Sequence, residues 1–356
     1  MFIVDAHLDI AYNALEFGRD PLLSVEQIRA METDDHPHGR ATVAFPQLRE
    51  AGVGLIFGTI FVMPQAAIRP SDGQGRLSYH DAQGAYRHGM AQLDFYRRLT
   101  DIEDNNLRLV TDQLSLDEVL ASSQNGGQPL LGIVVLMEGA DPIRQPEELE
   151  MWVERGLRAV GLAWDDTRYA AGAWRGARHG LTKEGRAMLE VMNEFKLILD
   201  LTHMSEKASL EALDQYEGPV MASHSNSRAL VPGERQLSDI QIRALGDRDG
   251  VIGTALANGF LRAGHRKGDR KELVTLDHVL AHIDHVCQLL GDARHVGIGS
   301  DMDGGFGVDD IPAEFDSAVD LPRIATRLKD AGYGEADIAQ IMGGNWLNLL
   351  RSIFNG

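Results

Sequence analysis

Residues 130–138 read LLGIVVLME: eight positions without a charged or hydroxyl-bearing side chain, closed by one glutamate. A run this short and this apolar suits a strand buried on both faces, as in a parallel sheet. Seven other short apolar runs occur, at residues 2–6, 53–62, 157–162, 197–201, 220–222, 251–255 and 296–298. Amphipathic stretches separate them, most clearly GRAMLEVMNEF at 185–195 and LDHVLAHIDHVCQLL at 276–290. Strand and helix alternating eight times predict an α/β fold, a single (β/α)8 TIM barrel. A barrel of this kind can account for all 356 residues as one domain, 1–356. No repeat, low-complexity tract or linker divides the chain. Segments 64–83, 169–180 and 309–315 read as irregular loops, and NWLNLLRSIF at 345–354 as a closing helix.

Composition narrows the function. Hydrophobic residues make up 44% of the chain, enough for a large core. The formal net charge of −19 repels phosphate backbones, which argues against nucleic-acid binding, but it attracts cations. Cys287 is the one cysteine, so no intrachain disulfide and no cysteine-based zinc cluster can form. It reads as an inert core residue, and any metal must be held by His, Asp and Glu. The opening MFIVDAHLDIAYN lacks a basic segment followed by a long apolar run, and no apolar stretch nears the ~20 residues of a membrane span. A soluble, cytoplasmic protein without a membrane segment is the expectation.

The polar residues fall at particular places on this frame. His7 and Asp9 follow the first run two positions apart, a spacing that points both to one side of an extended strand. Glu138 ends the third run, His203 follows the fifth, His224 the sixth and Asp301 the eighth, in GIGSDMDG. Each lies at the C-terminal end of a predicted strand, the catalytic face of such barrels. Imidazole and carboxylate donors suit Zn²⁺, and a two-oxygen glutamate can bridge two ions. A single histidine after a strand is more often a structural hydrogen-bonder, and an HxD tripeptide occurs by chance. The joint placement is what points to a dinuclear site.

Other polar residues favour plainer readings. His278, His282 and His285 share a helix face at a spacing that can bind zinc, but an outer helix implies a surface or packing role. His36 and His38, in DDHPHG, read as a solvated loop with a lid as the alternative. Asp165 and Asp166 read as loop acids, and GGFG at 304–307 as a turn.

The sequence resembles the membrane (renal) dipeptidase family of the amidohydrolase superfamily. The resemblance is carried by DAHLDIAYN (5–13), VVLMEGAD (134–141), GLTKEGRAMLEVMNEFKLILDLTHMS (180–205), ASHSNSRAL (222–230), HVGIGSDMDG (295–304) and GGNWLNLL (343–350). These run in order almost end to end. The resemblance implies two zinc ions per chain: His7 and Asp9 on one, His203 and His224 on the other, and Glu138 bridging. It implies that a metal-bridging hydroxide attacks the amide bond of a dipeptide, with Asp301 as the proton shuttle. It implies that Arg235, in ERQLSD, binds the substrate carboxylate, with Arg228 ranked second. A homodimer is the expectation from the family. One position departs from the pattern. Where the mammalian enzyme has a histidine near the scissile carbonyl, this chain has Trp164, which offers a single indole N–H. Trp164 is therefore read as a substrate-binding wall of the pocket. Two other readings stand beside dipeptide hydrolysis: an amidohydrolase for N-acyl amino acids or D-residue dipeptides, and a non-catalytic binding protein.

Overall fold

Nine strands carry the main sheet of the computed structural model, which describes residues 1–33, 36–68, 75–124, 128–174 and 179–354. They are β1 (Ile3–Leu8), β2 (Val53–Phe61), β3 (Leu107–Leu109), β4 (Leu131–Glu138), β5 (Leu157–Gly161), β6 (Ile198–Asp200), β7 (Val220–Ala222), β8 (Val251–Thr254) and β9 (Val296–Ile298). Eight of them are the apolar runs. All pair in parallel, in the order β2-β1-β9-β8-β7-β6-β5-β4. β4 then pairs back onto β2, from Leu55↔Gly132 to Phe61↔Glu138, and closes the (β/α)8 barrel. β3 is an addition. It pairs with Leu131–Ile133 at the start of β4, and β5 takes over at Val135. Its three residues, with Arg108 exposed in the middle, carry too little apolar pattern to be read as a strand.

Alternation along the strands places the site. Leu55 and Phe57 on β2, Val134 and Leu136 on β4, and Ile198 on β6 pack in one cluster with Trp346. Two residues further along those same faces stand Thr59, Glu138 and Asp200. One row of side chains therefore turns from apolar to polar toward the C-terminal ends of the strands. The opposite faces, with Ile56, Ile60, Ile133, Val135 and Met137, join the larger core with Leu93, Tyr96 and Trp152. Each large side chain so buried contributes about 1.5–3 kcal/mol of transfer free energy.

The closing helix spans Asn345–Phe354 and follows a π-helical turn at Gln340–Gly344. A Cβ at Gly343 would come within 2.7 Å of the Phe2 carbonyl oxygen, so only glycine allows this approach to the first strand. The Trp346 indole N–H donates to the Ile298 carbonyl at 3.0 Å, tying the helix to β9. Segment 64–83 is less irregular than expected. Met63–Pro64 pairs with Ser78–Tyr79, and the helix Ala82–Asp101 begins inside it, capped by Asp81. Residues 69–74 of that segment, and 175–178 of segment 169–180, lie outside the described residues. Among the described residues, no helix is long and apolar enough to cross a membrane.

The three histidines of the helix Leu276–Leu290 do not converge on an ion. His278 accepts from the Thr275 N–H, His282 is buried and accepts from the Ser227 N–H, and His285 pairs with Asp239. Cys287 is half-buried against the core, and burial pushes its thiol up to about 11, away from reactivity.

Candidate metal centre

His7 is the penultimate residue of β1, and Asp9 immediately precedes the helix Ile10–Phe17. The strand stops at Leu8, so Asp9 is not on extended backbone as the sequence pattern suggested. The two side chains still meet, with His7 Nε2 3.7 Å from Asp9 Oδ1. Thr59 donates its hydroxyl to the same Oδ1, and Asn13 Nδ2 donates to the Asp9 carbonyl at 3.0 Å. Thr59 thus fixes the carboxylate and Asn13 the backbone that carries it.

Glu138 ends β4 and divides its two oxygens between two groups. Oε2 lies 3.6 Å from His7 Nε2. Oε1 lies 2.9 Å from His203 Nε2 and 3.5 Å from His224 Nε2, and those two nitrogens are 3.0 Å apart. Asp301 Oδ1 completes the first group, 3.8 Å from His7 Nε2. None of the six residues is more than 8% exposed. His203 and Asp301 have φ of 68° and 57°. Such left-handed backbone is uncommon outside glycine and costs on the order of 1–3 kcal/mol, so the surrounding structure must enforce it.

The electrostatics keep His203 and His224 neutral and gather negative charge around His7. Burial, and then Arg235, pushes His203 down to about 4; burial, His7 and Arg235 push His224 well below its usual value. Both imidazoles are neutral, as ligation requires. Burial also works against charge on His7, but Glu138, Asp9 and Asp301 outweigh it and hold the imidazole up at about 10. Burial opposes ionisation of Glu138 too, yet His7 and His203 keep it below the ordinary carboxylate range. Asp9 is raised to about 6 by burial and Glu138, and Asp301 well above its usual value by burial and its neighbouring acids.

These residues fit a divalent metal. His7 Nε2 is buried and has no hydrogen-bond partner among the described residues. His7, Asp9 and Asp301, and likewise His7, Glu138 and His224, each present ligand atoms within 4.8 Å of one another. The Ser223 hydroxyl lies 3.3 Å from His7 Nδ1 and 2.9 Å from His224 Nδ1. When Nε2 of each ring faces a metal, Nδ1 carries the proton, and the two lone pairs of the serine accept both. Such support fixes tautomer and ring orientation.

A cavity of about 280 Å³ opens onto Asp9, Glu138, His203, His224 and Asp301. Its walls include Tyr12, Phe61, Met63, Trp164, Trp174 and Phe260. Trp164 packs against Phe61 at a centroid distance of 5.1 Å and faces His203 at 6.1 Å. Arg235 is buried against His203 and His224, outside the lining of this cavity and in that of a neighbouring pocket with Trp174 and Phe260. It donates to the His224 carbonyl at 2.8 Å and the Ser225 hydroxyl at 3.3 Å, and its guanidinium lies 5.0 Å from the Phe260 ring. Arg228, the second-ranked arginine, is engaged instead by Glu206 and the Gln236 carbonyl.

Two loop readings are corrected here. His38 is not solvated; it is buried against Phe17, stacks near Tyr12 and lines the cavity. Asp165 is likewise buried in the cavity wall, whereas Asp166 accepts from the Gly172 N–H. Both corrections have one cause, the folding of loops over the barrel mouth. Trp174 is a further residue of the site, its indole nitrogen 2.8 Å from His203 Nδ1. Nothing in a loop tryptophan's local sequence signals that contact.

The sequence profile of the membrane dipeptidase family, peptidase family M19, matches residues 1–355. The chain belongs to this family. It is accordingly a metallopeptidase of the dipeptidase class. A Klebsiella pneumoniae protein encoded in the pqqA 5′ region is 32% identical over 233 residues, 63% of this chain and 83% of that protein. A solved metallopeptidase called dipeptidase AC, also of family M19, superposes with a TM-score of 0.82 at 25% identity, covering 100% of this dipeptidase and 99% of its own chain. A Rhodobacter sphaeroides metallopeptidase, solved with a phosphinate mimic of the dipeptide L-Ala-D-Ala, has the same fold. Its TM-score is 0.82 at 23% identity, over 99% of both chains.

Proposed function

We propose that this family member hydrolyses dipeptides with two zinc ions, one between His7 and Asp9, the other between His203 and His224, and Glu138 bridging them. The observation that carries this reading is the division of the Glu138 oxygens, Oε2 toward His7 and Oε1 toward His203 and His224. When bound, such ions lower the pKa of water and polarise an amide carbonyl. The chain's own residues supply the rest. Asp301, buried with its Oδ1 3.8 Å from His7 Nε2, accepts a proton from the attacking water and returns it to the leaving amine. Arg235 binds the substrate's terminal carboxylate. Its plane is set by its two backbone and hydroxyl acceptors, and its Nε has no partner among the described residues. Trp164 closes the wall of a cavity near the small end of ligand sites, which run to about 300–1,000 Å³, and this favours short substrates.

The decisive test is turnover of L,L- and L,D-dipeptides beside N-acyl amino acids, with metal measured on the same sample. Dipeptide hydrolysis with about two zinc per chain supports the proposal. A preference for N-acyl amino acids shifts the substrate class, and a metal-free, inactive preparation that zinc does not restore refutes the enzyme reading. The Rhodobacter sphaeroides metallopeptidase, solved with an L-Ala-D-Ala mimic, makes the L,D arm of this panel informative.

Arg235→Ala should lower kcat/KM for free-carboxylate dipeptides by about 10–150-fold, the equivalent of about 1.5–3 kcal/mol for a charged hydrogen bond. Dipeptide amides should lose far less. Equal losses on the two series would remove Arg235 from carboxylate recognition.

A further inference from the structure

Two carboxylates outside the proposed chemistry are built into the barrel in the same way. Asp5 lies on β1, two residues before His7. Its Oδ1 accepts from the His7 N–H at 3.3 Å and the Ser300 N–H at 2.8 Å, and its Oδ2 accepts from the Ser300 hydroxyl at 2.5 Å. Asp200 ends β6, three residues before His203. Its Oδ1 accepts from the Thr202 N–H at 3.0 Å and the Ser223 N–H at 2.9 Å. In both, one oxygen joins the backbone N–H two residues ahead to a backbone N–H just past the end of the neighbouring strand, beyond β9 for Asp5 and beyond β7 for Asp200. In both, the neighbour is a serine directly before a site residue, Ser300 before Asp301 and Ser223 before His224.

The two strained residues of the site fall under the same pattern. His203 and Asp301 both have positive φ, and the residue before each, Thr202 and Ser300, is the one whose N–H is held. Both acids are at most 1% exposed, so the held N–H groups have no water to fall back on. Ser223 extends the reach of Asp200, since its hydroxyl lies between His7 and His224.

We infer that Asp5 and Asp200 are positioning residues, a repeated strand-end clamp that sets His7 against Asp301 and His203 against His224. The inference rests on the two-zinc reading of the site. The clamp works through an acceptor oxygen, and this separates it from a role of negative charge or of volume. Asparagine keeps the acceptor and loses the charge. Leucine keeps the volume and loses the acceptor.

The experiment compares Asp5→Asn, Asp5→Leu, Asp200→Asn and Asp200→Leu with the unmodified chain. Zinc affinity is read by competition with a chromogenic chelator, and ligand geometry from the visible spectrum of the Co²⁺-substituted proteins. Both leucine variants should lose about 10–100-fold in affinity for at least one of two zinc equivalents, with an altered Co²⁺ spectrum. Both asparagine variants should stay within about threefold of the unmodified chain with its spectrum retained, well short of the tenfold losses that follow removal of a supporting partner. Asparagine variants that fall as far as leucine, or leucine variants that match the unmodified chain, overturn the clamp. Where a leucine variant does not fold, the asparagine partner decides, because a tenfold loss there is incompatible with an acceptor role. An unmodified chain that binds fewer than two ions refutes the two-zinc reading itself and is distinguishable from failure of the clamp.

Discussion

Asp301→Asn is expected to lower kcat on dipeptides by about two to four orders of magnitude, the usual scale of positioned acid–base catalysis. At 1.36 kcal/mol per tenfold, this corresponds to about 2.7–5.4 kcal/mol of lost transition-state stabilisation. The reason lies in what the substitution keeps. Asparagine has nearly the same shape and retains one oxygen near His7 Nε2, where Asp301 Oδ1 stands at 3.8 Å. It has no oxygen that can take and return a proton. Metal analysis on the same variant separates two roles, since Asp301 also stands within ligand distance of His7 and Asp9. Two zinc retained with kcat collapsed assigns proton transfer. Loss of one zinc makes Asp301 mainly a ligand, and near-normal turnover removes it from the chemistry.

The barrel was legible because its strands are short and buried on both faces, which leaves eight apolar runs that helical patterns separate. β3 was not, because three residues around an exposed arginine carry no such pattern. The residues of the proposed metal site were legible for a related reason. A polar residue at the end of an apolar strand has few places to go, and in a parallel barrel all such ends open on one side. Hence His7, Asp9, Glu138, His203, His224 and Asp301 come together, although Asp9 arrives on a helix's entry turn rather than on the strand. Apart from Trp164, the cavity walls were not legible. Tyr12, Phe61, Trp174 and Phe260 belong to four segments far apart in the chain, and only the closed barrel makes them neighbours. His38 shows the same limit, because its loop reads as solvated until Phe17 and Tyr12 are seen to cover it. Asp5 and Asp200 did leave a trace, as acids inside otherwise apolar strands. A buried acid in such a strand must find donors, and here they are the N–H groups that hold the site residues in place.

Glu138→Gln should abolish measurable dipeptide hydrolysis, a larger loss than that of Asp301→Asn, because it acts on both halves of the site. A carboxylate places one anionic oxygen toward each histidine group, whereas an amide has one neutral oxygen and an NH₂ that repels a cation. The variant should therefore bind fewer than two zinc under conditions that saturate the unmodified chain. Thermal unfolding supplies an independent readout. A ligand that binds only the native state stabilises it by RT ln(1 + [L]/Kd), about 2.7 kcal/mol per site at a hundredfold excess over Kd. Zinc should raise the Tm of the metal-stripped, unmodified chain, and the same addition should leave Glu138→Gln much less affected. The stripped proteins should still unfold cooperatively, since the two buried apolar clusters around Trp346 and Trp152 do not depend on the ligands. A Glu138→Gln protein that keeps two zinc, the full Tm response and dipeptide turnover would falsify the bridging assignment and, with it, the two-metal site.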